Sequence, residues 1–197
     1  MFAGMAKGKE MHFSNQLRSM VYASLMSALI AVGAFVSIPI GPVPIVMQNL
    51  FVLLAGLLLG GNRAAAAVGI YLLAGACGLP VFAGGTGGLG RLLGPTGGYL
   101  FGFLAAAYLV GKAAEHSRGR LIPELMAMVA ASLIVYLFGV PWLKFVTGMD
   151  WQKAVAVGMV PFLAGDAVKI AAARAVAGSL RPILSLQPVP PREEKVG

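Results

Sequence analysis

GLPVFAGGTGGLGRLLGPTGG, residues 78–98, separates two long apolar runs, and its reading decides how the rest of the chain is understood. Eight of the fifteen residues from Gly84 to Gly98 are glycine. Glycine costs conformational entropy and has no side chain to pack, so this density predicts tight turns, positive-φ positions or backbone laid bare to a ligand. Gly85-Thr86-Gly87-Gly88-Leu89-Gly90 satisfies the letters GxGxxG. No soluble βαβ context surrounds it, however, and no acidic residue follows about twenty positions on, which argues against a dinucleotide site. No GK[ST] follows either, so it is not a P-loop. The stretch is expected to be a loop between membrane-embedded segments and one wall of a binding site; the plainer alternative is a tightly packed turn.

Working outward, the flanks carry almost nothing polar. Of 197 residues 58% are hydrophobic and 11% charged, with mean hydropathy +0.84. Soluble domains carry about 25% charged residues, so composition predicts an integral membrane protein. The single cysteine, Cys77, excludes an intramolecular disulfide and is expected in the core. The net charge of +8 would in a soluble protein raise the question of nucleic acid. Here the basic residues lie between apolar segments, where membrane orientation explains them, and no basic patch interleaved with aromatics is present.

Six helical spans are expected, making an all-α integral membrane protein. Residues 1–16 form a cytoplasmic tail, 17–180 the six-helix transmembrane domain, and 181–197 a disordered, proline-rich cytoplasmic tail. Helix 1 runs from Leu17 to Ile38, and the prolines of SIPIGPVP (37–44) end it in an outer loop. Helix 2 covers about Val46–Gly60; after a turn at Gly61-Asn62-Arg63, helix 3 covers Ala64–Gly78. Helix 4 starts near Gly94 or Gly97 and ends near Lys112. Helix 5 runs from Leu121 to Val140, where Pro141-Trp142 ends it, and Trp142 and Trp151 bracket an interfacial loop. Helix 6 covers about Ala154–Ala177. Eleven Lys and Arg residues fall on one side of these spans; only Arg91, Lys144 and Lys153 fall on the other, and Lys169 lies within helix 6. The positive-inside rule then places both termini in the cytoplasm and the Gly-rich loop outside.

Asp166 is the one acidic residue expected well inside a span, and Lys169 follows three positions on, on the same helix face. An ionisable group at membrane depth costs about 2.5–3.5 kcal/mol even on the lenient insertion scale, so such groups usually face a cavity or a partner. Pro161 upstream lacks the N–H that would pair the Val157 carbonyl, and spans broken in this way often line polar cavities. Arg91 stands among the glycines on the same outer side, and Tyr99, Gln48 and Asn49 can add neutral hydrogen bonds. Together with Gly84, Gly85, Thr86, Gly87 and Gly88 these are the candidate ligand-binding residues. They outline a pocket for a small molecule with an acid at one end, hydrogen-bonding groups at the other and an apolar middle. No catalytic or metal-binding constellation appears: there is no HExxH, and His12 and His116 lie outside the expected spans.

GPVPIVMQNLFVLLAGLLLG (41–60), GLPVFAGGTGGLGRLLGPTGGYLFGF (78–103) and FLAGDAVKI (162–170) closely resemble BioY, the biotin-specific substrate-binding S component of energy-coupling factor (ECF) transporters. The resemblance extends from helix 1 to the end of helix 6. It implies an S-component-like bundle of six helices in the cell membrane that binds biotin from outside, without a further cofactor. The family's last-helix aspartate and lysine fall on Asp166 and Lys169, and its Gly-rich loop and arginine on Gly84 to Arg91. The family motif more often reads LPGD; here it is LAGD at 163–166, with the proline at Pro161. The resemblance also implies partners, an ECF transmembrane coupling protein and ATPase subunits. The coupling protein would be met by small residues of helix 1: Ala23, Ser27 and Ala31 share one face, and Ser24 and Ala28 give an alternative register. No Walker A sequence occurs in this chain. Two other classes remain to be weighed, an intramembrane enzyme, for which general-base groups are missing, and an assembly subunit without a ligand.

Overall fold

A computed structural model describes the backbone of residues 2–184 and the side chains of residues 17–182. The element order is α1 (Phe2–Phe35), β1 (Ser37–Ile38), β2 (Ile45–Val46), α2 (Gln48–Leu59), α3 (Gly61–Ala76), α4 (Leu89–Leu92), α5 (Gly97–Ser117), α6 (Leu121–Thr147), α7 (Trp151–Gly158) and α8 (Val160–Leu184). Helix 1 therefore begins well before Leu17 and ends three residues before Ile38. The prolines of the following segment sit between two short antiparallel strands, paired Ser37 with Val46 and Ile38 with Ile45.

Among the described residues four stretches are long and apolar enough to cross a membrane: Leu17–Phe35, Gly97–Ser117, Leu121–Thr147 and Trp151–Pro182. The helices α2 and α3 are shorter, 12 and 16 residues, or about 18 and 24 Å against a hydrocarbon core of about 30 Å. Ten of the twelve residues of α2 are buried, so it is the central post of the bundle, packed against α1, α3, α5 and α8. Its corner with α3 is tighter than the expected three-residue turn. Gly60 alone makes it, at φ 80°, while Gly61 already belongs to α3 and its N–H is accepted by Glu115 Oε1 at 2.8 Å. The corner sits directly on Gly111 of α5, where a Cβ would lie 2.4 Å from the Gly60 carbonyl carbon.

The α5–α6 pair closes through Gly98 and Gly102, whose faces are filled by Trp142 and Val135. Gly94 precedes α5, so of the two expected starts of this helix it is Gly97 that begins it. Pro141 does not end α6, which continues to Thr147. Its missing N–H removes one backbone bond, but the flanking turns are held by tertiary contacts: Leu143 is fully buried, and Trp142 Nε1 donates to Gly94 O at 2.9 Å. Trp142 is thus a tie between α6 and the Gly-rich segment, and only Trp151 borders the loop after α6, with Lys144 Nζ 5.1 Å above its ring. The last span is broken at Met159, just before Pro161, as the proline predicts. The freed Gly158 carbonyl accepts from Tyr99 OH at 2.8 Å. The helix α8 carries on past Ala177, so residues 181–184 are helical and not tail; residues 185–197 lie outside the described residues. Cys77 is exposed, at the C-cap of α3, and is not a core residue.

Candidate functional site

The Gly-rich segment is a folded object. Phe82 and Thr86 bridge across a turn in which Gly84 (φ 76°) and Gly85 (φ 66°) take positive φ. Phe82 N–H donates to Thr86 O at 2.9 Å, and Thr86 Oγ1 donates to Ala83 O at 3.0 Å. Phe82 is inserted under α3, edge-on to Tyr71 at 5.4 Å and against Gly75, where any Cβ would collide with its ring. Gly87 passes so close to α3's end that a Cβ would lie 2.3 Å from Leu79 O, and Gly88 N–H donates to Gly75 O at 2.7 Å. The glycines are consumed in building this shape.

Beneath the segment lies a cavity of about 630 Å³, counting the space at its open mouth. Its walls are the hairpin (Val43, Pro44, Val46), the start of α2 (Gln48, Asn49), the loop (Phe82, Ala83), Arg91, Thr96, the start of α5 (Tyr99, Leu100, Phe103), Tyr136 of α6, and Phe162, Asp166 and Lys169 of α8. Six candidates from the sequence are thereby brought together: Asp166, Lys169, Arg91, Tyr99, Gln48 and Asn49. Gly84, Gly85, Thr86, Gly87 and Gly88 are not among the lining residues. Their backbone is turned to the turn and to α3, and the loop contributes Phe82 and Ala83 instead.

Asp166 is the hub of the polar wall. Its Oδ1 accepts from Asn49 Nδ2 at 3.2 Å and from Lys169 Nζ at 3.3 Å, and its Oδ2 accepts from Tyr136 OH. Asp166 and Lys169 are 7% and 6% exposed, so this is a buried ion pair, joined by donors from α2 and α6. Two polar atoms of the lining stay unpaired although buried, Asn49 Oδ1 and Arg91 Nε, while the Gln48 amide lies within reach of the buried Tyr71 hydroxyl. Arg91 is aimed by one bond, Nη2 to Ala83 O at 3.1 Å. Buried polar atoms without partners are costly and rare, so an orphan donor and an orphan acceptor around one cavity call for a ligand carrying the complementary groups. The remaining surface is apolar, with Phe82, Phe103 and Phe162 supplying the rings.

Tyr136 was not singled out from the sequence. Its signal was present: apart from Ser132 it is the one polar side chain from Ala130 to Pro141, an isolated hydroxyl at span depth. On α1 Ala23 and Ser27 are 5% and 7% exposed and Ala31 is partly buried, packed within the bundle. Ser24 and Ala28, the other register, are exposed.

Fold and cavity together define a multi-pass helical membrane protein with a site for a small, partly polar molecule at one end of the bundle. The particular family follows from comparison: the chain belongs to the BioY family, whose model matches residues 6–186. It is similar to the biotin transporter BioY of Thermotoga maritima, 44% identical over 165 residues that span 84% of this chain and 96% of that one. The probable biotin transporter BioY of Pyrococcus horikoshii is 41% identical, with 80% and 93% covered. A crystal structure of the S-component for biotin from an ECF-type ABC transporter superposes with a TM-score of 0.80 at 30% identity, covering 86% of this chain and 93% of that one. These relatives are transporter components, not enzymes.

Proposed function

We propose that the protein is the biotin-binding S component of an ECF-type uptake system in the cell membrane. The observation that carries the reading is the two unpaired buried atoms, Asn49 Oδ1 and Arg91 Nε, in the wall of a cavity that also holds the Asp166–Lys169 pair. Biotin matches it group for group. The ureido N–H groups donate to Asn49 Oδ1 and the Asp166 carboxylate, and the ureido carbonyl accepts from Lys169. The fused rings lie against Phe103 and Phe162. The valerate carboxylate reaches Arg91, the cation whose guanidinium has no carboxylate partner in the cavity, with Gln48 beside it.

In this reading α1, α2, α3, α5, α6 and the broken α7–α8 unit are the six spans of a domain covering residues 17–180. Both termini, with the segments 1–16 and 181–197, face the cytoplasm, and the Gly-rich segment faces outside. The basic residues Arg63, Lys112, Arg118, Arg120, Arg174 and Arg181 on one side support that orientation. Energy comes from a coupling protein and ATPase subunits. The coupling protein meets α1 through the exposed Ser24–Ala28 register.

Calorimetric titration with biotin and biotin methyl ester, on the wild type and on Arg91→Met, tests the assignment. A hydrogen bond between charged groups contributes about 1.5–3 kcal/mol, so the ester is expected to bind the wild type roughly 10- to 100-fold more weakly than biotin. Arg91→Met is expected to bind both ligands equally. No saturable biotin binding by folded wild-type protein would overturn the function. Undiminished discrimination in Arg91→Met would overturn the role of Arg91.

A further inference from the structure

At the end of the bundle away from the cavity, Glu124 is completely buried in the first turn of α6. Arg174 Nε lies 2.9 Å from its Oε2 and Arg181 Nη1 lies 2.8 Å from its Oε1, while Ser117 Oγ donates to Oε1 at 3.1 Å. Each arginine also reaches backbone: Arg174 Nη2 donates to Gly119 O at 3.0 Å, and Arg181 Nη2 to Leu57 O at 2.9 Å. One carboxylate therefore ties α8 to α6, and through Arg181 to the last turns of α2.

The same three helices meet in the cavity wall. Asp166 of α8 is bound there by Asn49 of α2 and Tyr136 of α6. From Asp166 to Arg181 is fifteen residues, about 22 Å along a helix. Between the two knots the fully buried apolar residues of α8 are the small Ala173 and Ala177, with Ile170 and Leu180 packed partly buried against the core. Large residues such as Val168 (70% exposed) and Leu163 point outward. The register of α8 is thus set by polar contacts at its two ends together with a thin apolar seam between them.

We infer that Glu124 is a positioning residue for the ligand site: by clamping Arg174 and Arg181 it fixes the height and rotation of α8, and so where Asp166 and Lys169 stand in the cavity. The inference rests on the proposed biotin site. Linkage makes the effect reciprocal, so a ligand that holds Asp166 and Lys169 tightens the inner clamp. Occupancy of the cavity is then registered at the opposite face of the membrane, in the freedom of two arginines.

The test uses full-length protein in detergent, with wild type, Glu124→Gln and Arg181→Lys, biotin as ligand, and two readouts. The first is biotin affinity by calorimetry. Glu124→Gln is expected to bind roughly 5- to 150-fold more weakly, the range of ordinary coupling between sites. Arg181→Lys keeps the charge but loses the second contact to Leu57 O, and is expected to fall between Glu124→Gln and wild type. The second readout is the rate of phenylglyoxal modification at Arg174 and Arg181 in the wild type, followed by peptide mass spectrometry. Saturating biotin is expected to slow it, and biotin methyl ester at equal occupancy to slow it equally. A purely structural clamp would not respond to ligand. Wild-type affinity in folded Glu124→Gln, or modification rates unchanged by bound biotin, would overturn the inference while leaving the biotin site intact. Absence of biotin binding by the wild type would remove both. If Glu124→Gln does not fold, the modification rates decide alone.

Discussion

Replacing Asp166 by alanine tests the ion pair that anchors the cavity wall. The carboxylate accepts from three side chains, one of them the Lys169 ammonium, 6% exposed. Its removal leaves a buried charge without a counter-ion and two neutral donors without an acceptor. Breaking a buried pair from one side costs about 3–5 kcal/mol, whereas replacing both partners by apolar groups is often close to neutral. Asp166→Ala is therefore expected to be the least stable of three variants. Lys169→Met, which leaves the carboxylate with two neutral donors, is expected to lose less. The double variant Asp166→Leu/Lys169→Met, with only Tyr136 OH and Asn49 Nδ2 left to re-pair, is expected to be more stable than Asp166→Ala. Sub-additivity of about 0.5–3 kcal/mol is the range for contacting residues. Thermal unfolding in detergent gives the order, and biotin titration of the same samples separates function from folding, because all three variants should lose binding. An Asp166→Ala protein that melts with the wild type, or a double variant less stable than Asp166→Ala, would refute the reasoning.

Tyr99→Phe removes the donor to the Gly158 carbonyl freed at the α7–α8 break, and is expected to destabilise by about 1–3 kcal/mol in thermal melts. Gly98→Ala places a Cβ 2.4 Å from Trp142 Cβ and is expected to cost about 1–3 kcal/mol by overpacking. Gly69→Ala, mid-α3 with open space around it, is expected to stabilise by about 0.5–1 kcal/mol in the same assay. Trp142→Phe loses the bond to Gly94 O, and hydrogen exchange across residues 84–97 is expected to quicken while α1 is unchanged.

The four long spans were legible because twenty apolar residues announce themselves, and the Asp166–Lys169 pair because charge at that depth is rare. The break before Pro161 followed from the missing donor. Pro141 misled for the same reason: a local rule predicted an end, and contacts made by Trp142 and Leu143 far along the chain kept the helix going. The glycines announced turns, but whether their backbone faced a ligand or α3 depended on Phe82 finding Gly75. The two small-residue rows of α1 have the same i, i+4 spacing, so sequence could not say which was buried in the bundle. The burial of Glu124 depends on arginines 50 and 57 positions away, a separation that no pattern within one helix reveals.

The Gly-rich segment enters the cavity wall already tied, by Phe82–Thr86 pairing, by Gly88 to Gly75 and by Trp142 to Gly94. A wall built beforehand has little ordering entropy left to surrender when a ligand arrives. Capture at low ligand concentration then depends on diffusion to an open mouth, without waiting for a loop to fold. The burden of retention shifts to the rate of escape, set by helix-borne groups such as Gln48, Asn49 and Asp166.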